Sequence, residues 1–134
     1  MKKYENYVSN LRVLERADRE SLDNEFIIGG IIDKFSIQFE LGWKMLKELL
    51  CYEGSRVSAI GSPRSIIKEA YTVYPFFDGD IWLAMLRDRN DMAHIYDGNE
   101  AKNLVKRILA DYIPQFQKLE EEIVGYYGEI LRKM

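Results

Sequence analysis

The stretch Arg87-Asp-Arg-Asn-Asp-Met-Ala-His-Ile-Tyr-Asp97 gathers an arginine, the single histidine of the chain and a tyrosine in one short segment. These side chains together suit phosphodiester chemistry that needs no metal. A histidine takes the proton from an RNA 2′-hydroxyl, or supplies one to the leaving oxygen. An arginine holds the phosphate and stabilises the charge developing on it. His94 follows Arg89 by five residues, about 140° around an ideal helix. The two share no face of a regular helix. They converge if the helix ends near His94, or if two copies of the chain meet across an interface. A pair of imidazoles acting as acid and base requires that second copy. At a helix C-terminus the dipole would favour the protonated imidazole.

The same residues have plainer uses. Arg89 interrupts an apolar stripe of Trp82, Met85, Leu86, Met92, Ala93 and Tyr96. A buried guanidinium is costly unless paired, and Glu40 on a neighbouring helix is a candidate partner. His94 alone serves equally as a structural or solvent-facing group, and Tyr96 as a packed aromatic with its hydroxyl satisfied. Asp88, Asp91 and Asp97 surround the motif, with Arg87 the one extra cation there. Acids near a scissile phosphate repel it, although Asp91 would raise the pKa of His94. Arg56, Arg64, Lys68, Lys102 and Lys106 offset that charge if they fold toward the same cleft.

The elements that must position these residues are helical. No segment alternates convincingly at period two, and apolar residues recur at helical spacing. A first helix is expected over 3 to 19, with Tyr4, Tyr7, Val8, Leu11 and Leu14 on one face. A second, capped by Asp23 or Asn24, carries Ile28, Ile32, Phe35, Phe39, Trp43, Leu46 and Leu50 and stops near Gly54. Gly29 and Gly30 weaken its first turns and offer a close helix crossing. Ser62-Pro63 starts a short third helix to about Tyr74. A fourth runs near 80 to 95, ended by Asp97-Gly98. The last starts at Asn99 or Glu100 and is expected to run almost to Met134, kinked at Pro114, with a stripe from Leu104 through Phe116 to Tyr126 and Ile130.

The second and last helices would span roughly 45 and 50 Å at 1.5 Å per residue. Their surplus apolar stripes need cover, which implies a homodimer. The expected fold is all-α: an up-and-down four-helix bundle with one additional short helix, in a single domain over 1–134. Glu40, Lys44, Lys47 and Glu48 read as a solvated helix face, and Trp43 and Trp82 as core aromatics.

The chain has 134 residues, 47% of them hydrophobic, and a formal net charge of -3. That balance argues against a broad nonspecific grip on nucleic acid. The one cysteine, Cys51, permits no internal disulfide and reads as a buried core thiol. One His and one Cys build no zinc site, and no glycine-rich phosphate loop appears, so neither metal nor cofactor is expected. No apolar run suggests a signal peptide or membrane span, which points to the cytoplasm.

Arg89-x4-His94-x-Tyr96 resembles the Arg-x(4–6)-His-x-Tyr motif of HEPN domains. Three blocks extend the resemblance: "FELGWKMLKELL" (Phe39 to Leu50), "SPRSIIKEAY" (Ser62 to Tyr71) and "WLAMLRDRNDMAHIYD" (Trp82 to Asp97). In that order they are similar to the nucleotidyltransferase substrate-binding protein family, a HepT-like branch of the HEPN group. The resemblance implies a dimerising HEPN-like bundle and a minimal nucleotidyltransferase, MNT, as partner. On one view of the family this chain is the substrate- or nucleotide-binding subunit of a two-component transferase. On another it is the toxin of a toxin–antitoxin pair, a metal-independent ribonuclease silenced when the partner adds AMP to the motif tyrosine. Carried over, Arg89 and His94 are the catalytic pair, Tyr96 is the AMPylation site, and Asn90 orients phosphate or histidine.

Overall fold

The computed structural model describes residues 1–57, 61–92 and 97–134. His94 and Tyr96, like Ala93, lie outside the described residues. The described chain is all-helical, as the periodicity predicts, and is consistent with a HEPN-like bundle. Helix α1 covers Lys2–Leu14 and continues as a tighter 3-10 turn over Glu15–Arg19, so the first helix ends earlier than position 19. Its buried face is Tyr7, Leu11 and Leu14.

Helix α2, Glu25–Tyr52, is the spine. Asn24 caps it: the side chain accepts from the backbone N–H of Phe26 and Ile27. At 28 residues it extends about 42 Å, and α1, α3 and α5 all lie against it. Its buried positions include Ile31, Gln38, Gly42, Met45 and Leu49, beside the expected Phe35, Phe39, Leu46 and Leu50. Ile32 and Trp43 are only half-buried. The buried arc is therefore wider than the simple stripe, because helices cover α2 on more than one side. Gln38 is the polar member of that arc. Its amide donates to the Tyr7 carbonyl at 3.0 Å and its oxygen accepts from Asn10 at 2.8 Å, so α1 and α2 are stitched as well as packed.

Close approach occurs at Gly42 rather than at Gly29 and Gly30. A Cβ on Gly42 would stand 2.6 Å from the Trp82 ring, whereas one on Gly29 or Gly30 meets no described atom within 4 Å. Cys51 is exposed, not buried. One residue past Leu50 is about 100° further around the helix, which carries the thiol off the core face.

Helix α3, Pro63–Val73, starts as Ser62-Pro63 predicts, with the Ser62 hydroxyl accepting from the Ser65 N–H. Helix α4, Gly79–Asp91, is capped by Asp78. Asp97 then caps α5, Gly98–Arg107. The expected single last helix is in fact three. A widened π turn over Ile108–Tyr112 joins α5 to α6, Ile113–Tyr127, and Gly128 separates α6 from α7, Ile130–Lys133. The physical reason for the first break is Pro114. It has no N–H to donate, and its ring crowds the carbonyl four residues back; the turn ahead of it is widened rather than sharply kinked. The second break follows from Gly128, whose φ of 58° suits a residue without Cβ. Downstream, Tyr127 and Leu131 are buried while Tyr126 and Ile130 are exposed, so the stripe runs one residue later than its periodicity suggests.

The core is aromatic where α1, α2, α4 and α6 meet. Trp82 stacks on Phe77 at 5.5 Å and meets Phe116 edge-on at 5.5 Å. Phe35 stacks on Tyr112 at 5.3 Å. Trp82 is a core residue as expected, at 1% exposure.

Candidate functional site

Helix α4 delivers the motif. Its end tightens at Met92, whose N–H bonds to the Arg89 carbonyl three residues back. Arg89 therefore sits in the last described turn of α4.

Arg89 is half-buried and paired in place. Its Nη2 forms an ion pair with Glu40, its Nη1 donates to the Asn90 side chain at 2.9 Å, and its guanidinium lies over the Phe39 ring, 5.6 Å from the centroid. This is the bridge to Glu40 that answers the interruption in the α4 stripe. Glu40 in turn accepts from the Trp43 indole at 3.0 Å and lies 3.7 Å from Lys44. Glu40 is thus half-buried in a polar cluster, while Lys44 and Glu48 of the same expected face are exposed. Glu48 on the same helix pairs across to Lys3 of α1 at 3.2 Å. Asn90, the other candidate at the site, is exposed and touches Arg89.

Two of the three motif acids have other work. Asp88 is buried, at 8% exposure, and receives a bidentate pair of bonds from Arg107 at 2.9 and 3.0 Å. The Tyr112 hydroxyl donates to the same carboxylate. Burial first, and then that bond to Asp88, push the Tyr112 hydroxyl well above its ordinary pKa. The bond to Asp88 likewise raises the Arg107 guanidinium. Asp97 spends its carboxylate on the α5 N-terminus, accepting from Asn99 at 2.8 Å. Asp91 is exposed, as is Asp97.

An open cleft of about 690 Å³ flanks the motif between the start of α2 and α5. Its lining includes Asp23, Glu25, Asp33 and Asp97 against Lys102, so its charged groups are mostly acidic. Of the five cations expected to offset the motif acids, Lys102 lines this cleft. Lys68 lines a separate groove between α3 and α4, beside Tyr71 and Gly79. Arg56, Arg64 and Lys106 are exposed and line neither.

Sequence spacing points to Arg89 and to its Glu40 partner, but not to Arg107 and Tyr112. They reach Asp88 from α5 and the π turn, and although Pro114 marks a disturbance there, nothing local in the sequence brings that turn to Asp88. Among the described residues no group of His, Cys, Asp and Glu is arranged to hold a metal, and no helix is long and apolar enough to cross a membrane.

Residues 1–124 match the family described as "Nucleotidyltransferase substrate binding protein like". A curated relative from Haemophilus influenzae is named "Probable ribonuclease HepT". It is 29% identical over 105 residues, which cover 77% of this chain and 71% of the relative.

Proposed function

Because the chain belongs to the nucleotidyltransferase substrate binding protein-like family, we propose that it is the HEPN partner of a minimal nucleotidyltransferase and a latent, metal-independent endoribonuclease. The single observation that carries this reading is Arg89. It is held on the last turn of α4, just ahead of His94, with its guanidinium already oriented by Glu40 and Asn90. The name of the Haemophilus influenzae relative points the same way.

In this reading the nucleophile is the RNA's own 2′-hydroxyl. His94 moves the proton and Arg89 stabilises the charge on phosphorus-bound oxygen. Asn90 orients the phosphate or the imidazole. Two chains in a cytoplasmic homodimer supply the acid and the base. The nucleotidyltransferase partner would silence the site by transferring AMP from ATP to the Tyr96 hydroxyl with release of pyrophosphate, placing a phosphate where the substrate phosphate must sit. The deciding experiment is cleavage of RNA by the free protein in EDTA. Products with 2′,3′-cyclic phosphate ends, lost in His94→Ala, are expected. A requirement for magnesium, or unchanged cleavage by His94→Ala, discards the mechanism.

A second reading has its own observation. The cleft beside the motif is acidic, which disfavours a phosphate backbone, and Glu40 offsets the charge of Arg89. A non-catalytic subunit that presents substrate or nucleotide to the transferase is consistent with that. A folded, unmodified protein that cleaves none of a varied RNA panel selects this reading.

A further inference from the structure

Glu40 has a divided carboxylate. Its Oε1 is enclosed and faces Nη2 of Arg89 as an ion pair without an aligned hydrogen bond. Its Oε2 accepts from Trp43 Nε1 at 3.0 Å and lies 3.7 Å from Lys44 Nζ. One oxygen is therefore anchored within α2, and the other is presented to α4.

An ion pair with both side chains about a quarter to a third exposed, 27% and 30% here, adds little to stability. Its geometry is more specific than stabilisation needs. Phe39 lies beneath the guanidinium, Asn90 takes one Nη, and Glu40 takes the other. An arginine gives up much rotamer freedom when fixed. Here the loss is met on folding, before any ligand arrives. The carboxylate does not cancel the cluster's attraction for an anion, because Glu40 faces two cations, Arg89 and Lys44.

We infer that Glu40, itself fixed by Trp43, is a positioning residue that sets the guanidinium of Arg89 for an anionic ligand at the motif. The activity arm of this inference rests on the ribonuclease reading; the spectroscopic arm does not.

Glu40→Gln keeps the size of the side chain and an acceptor for Trp43 but loses the charge that holds Arg89. On a fluorescent, mixed-sequence single-stranded oligoribonucleotide, kcat should fall by about tenfold or more, the scale of a misplaced catalytic group. KM should stay the same or drop, because the cluster becomes more positive, and the melting temperature should move little. Trp43→Phe should lower kcat in the same direction by less, and it serves if Glu40→Gln does not fold. In NMR of the protein alone, the Arg89 Nη protons should be resolved through slow rotation, and should average in Glu40→Gln. An unchanged kcat in Glu40→Gln overturns the inference, as does a raised KM with kcat intact. An Arg89 guanidinium already averaged in the unaltered protein overturns it too. If the unaltered protein cleaves no RNA, the ribonuclease reading falls, and the NMR comparison alone decides on Glu40.

Discussion

Asp88 and Arg89 are neighbours in sequence with divergent partners. Asp88 turns inward to Arg107 and Tyr112, while Arg89 reaches Glu40 on α2. Between them they tie the last turn of α4 to three other helical segments, α5, the π turn and α2. Asp88→Asn should cost about 1–3 kcal/mol in urea unfolding, because Tyr112 and Arg107 lose a charged acceptor. A cost indistinguishable from zero would mean that this network does not hold the turn. At the motif, His94→Ala should lose on the order of 10²–10⁴ in RNA cleavage rate, the usual scale for acid–base catalysis. Arg89→Lys keeps a charge for Glu40 but loses the planar fork. It should be nearly as poor in rate, with the fold intact by circular dichroism. The Arg89–Glu40 pair was legible in the sequence, since a guanidinium in an apolar stripe demands a carboxylate. The partners of Asp88 were not, because they lie on elements far along the chain whose approach no local pattern encodes.

Helix starts were the most legible elements. Asn24 and Ser62 carry their capping chemistry in plain view, and each begins a helix where the chemistry predicts, whereas the cap at Asp78 emerges from the structure. Helix interiors were less so. Pro114 announced a disturbance, but whether the helix kinks or widens depends on what packs against it, and Tyr112 in the widened turn is held by Asp88. The contact at Gly42 was likewise invisible, because it needs Trp82 of α4 to be brought across. It yields a prediction. Gly42→Ala places a methyl 2.6 Å from the Trp82 ring, and overpacking of that kind costs about 1–3 kcal/mol. Thermal melts should register it, whereas Gly30→Ala, with no described neighbour within 4 Å, should leave the melt unchanged or raise it. Equal effects at both sites would contradict the close approach.

For the molecule as a whole, the apolar surface of α2 bears on assembly. Phe26 is 90% exposed and Ile37 45% exposed, three turns apart on one face. The break at Gly128 turns part of the last stripe inward, since Leu131 is buried; the argument from helix length therefore rests mainly on α2. Light scattering should find a dimer at micromolar concentration, and Phe26→Asp should weaken it. A monomer in the unaltered protein would remove the shared-site reading. Alkaline stability offers a second whole-molecule test. Burial raises the hydroxyls of Tyr7, Tyr74, Tyr112 and Tyr127, Tyr74 to about 12. A raised folded-state pKa gives stability that is present below the unfolded value and is lost as pH climbs toward the folded one. Their phenolate absorbance should appear above about pH 10 together with loss of helix, after the exposed tyrosines have titrated. Buried tyrosines ionising while the helices remain would contradict this.

The two indoles also divide the molecule optically. Trp82 is sealed among Phe39, Phe77 and Phe116, whereas Trp43 touches the solvent-facing side and bonds to the carboxylate that holds Arg89. A Trp82→Phe chain would keep one emitter, wired through Glu40 to the motif arginine. Its colour and intensity should change when an anion docks on Arg89, so that RNA, nucleotide or partner engagement can be timed in a stopped-flow instrument without a label on either molecule.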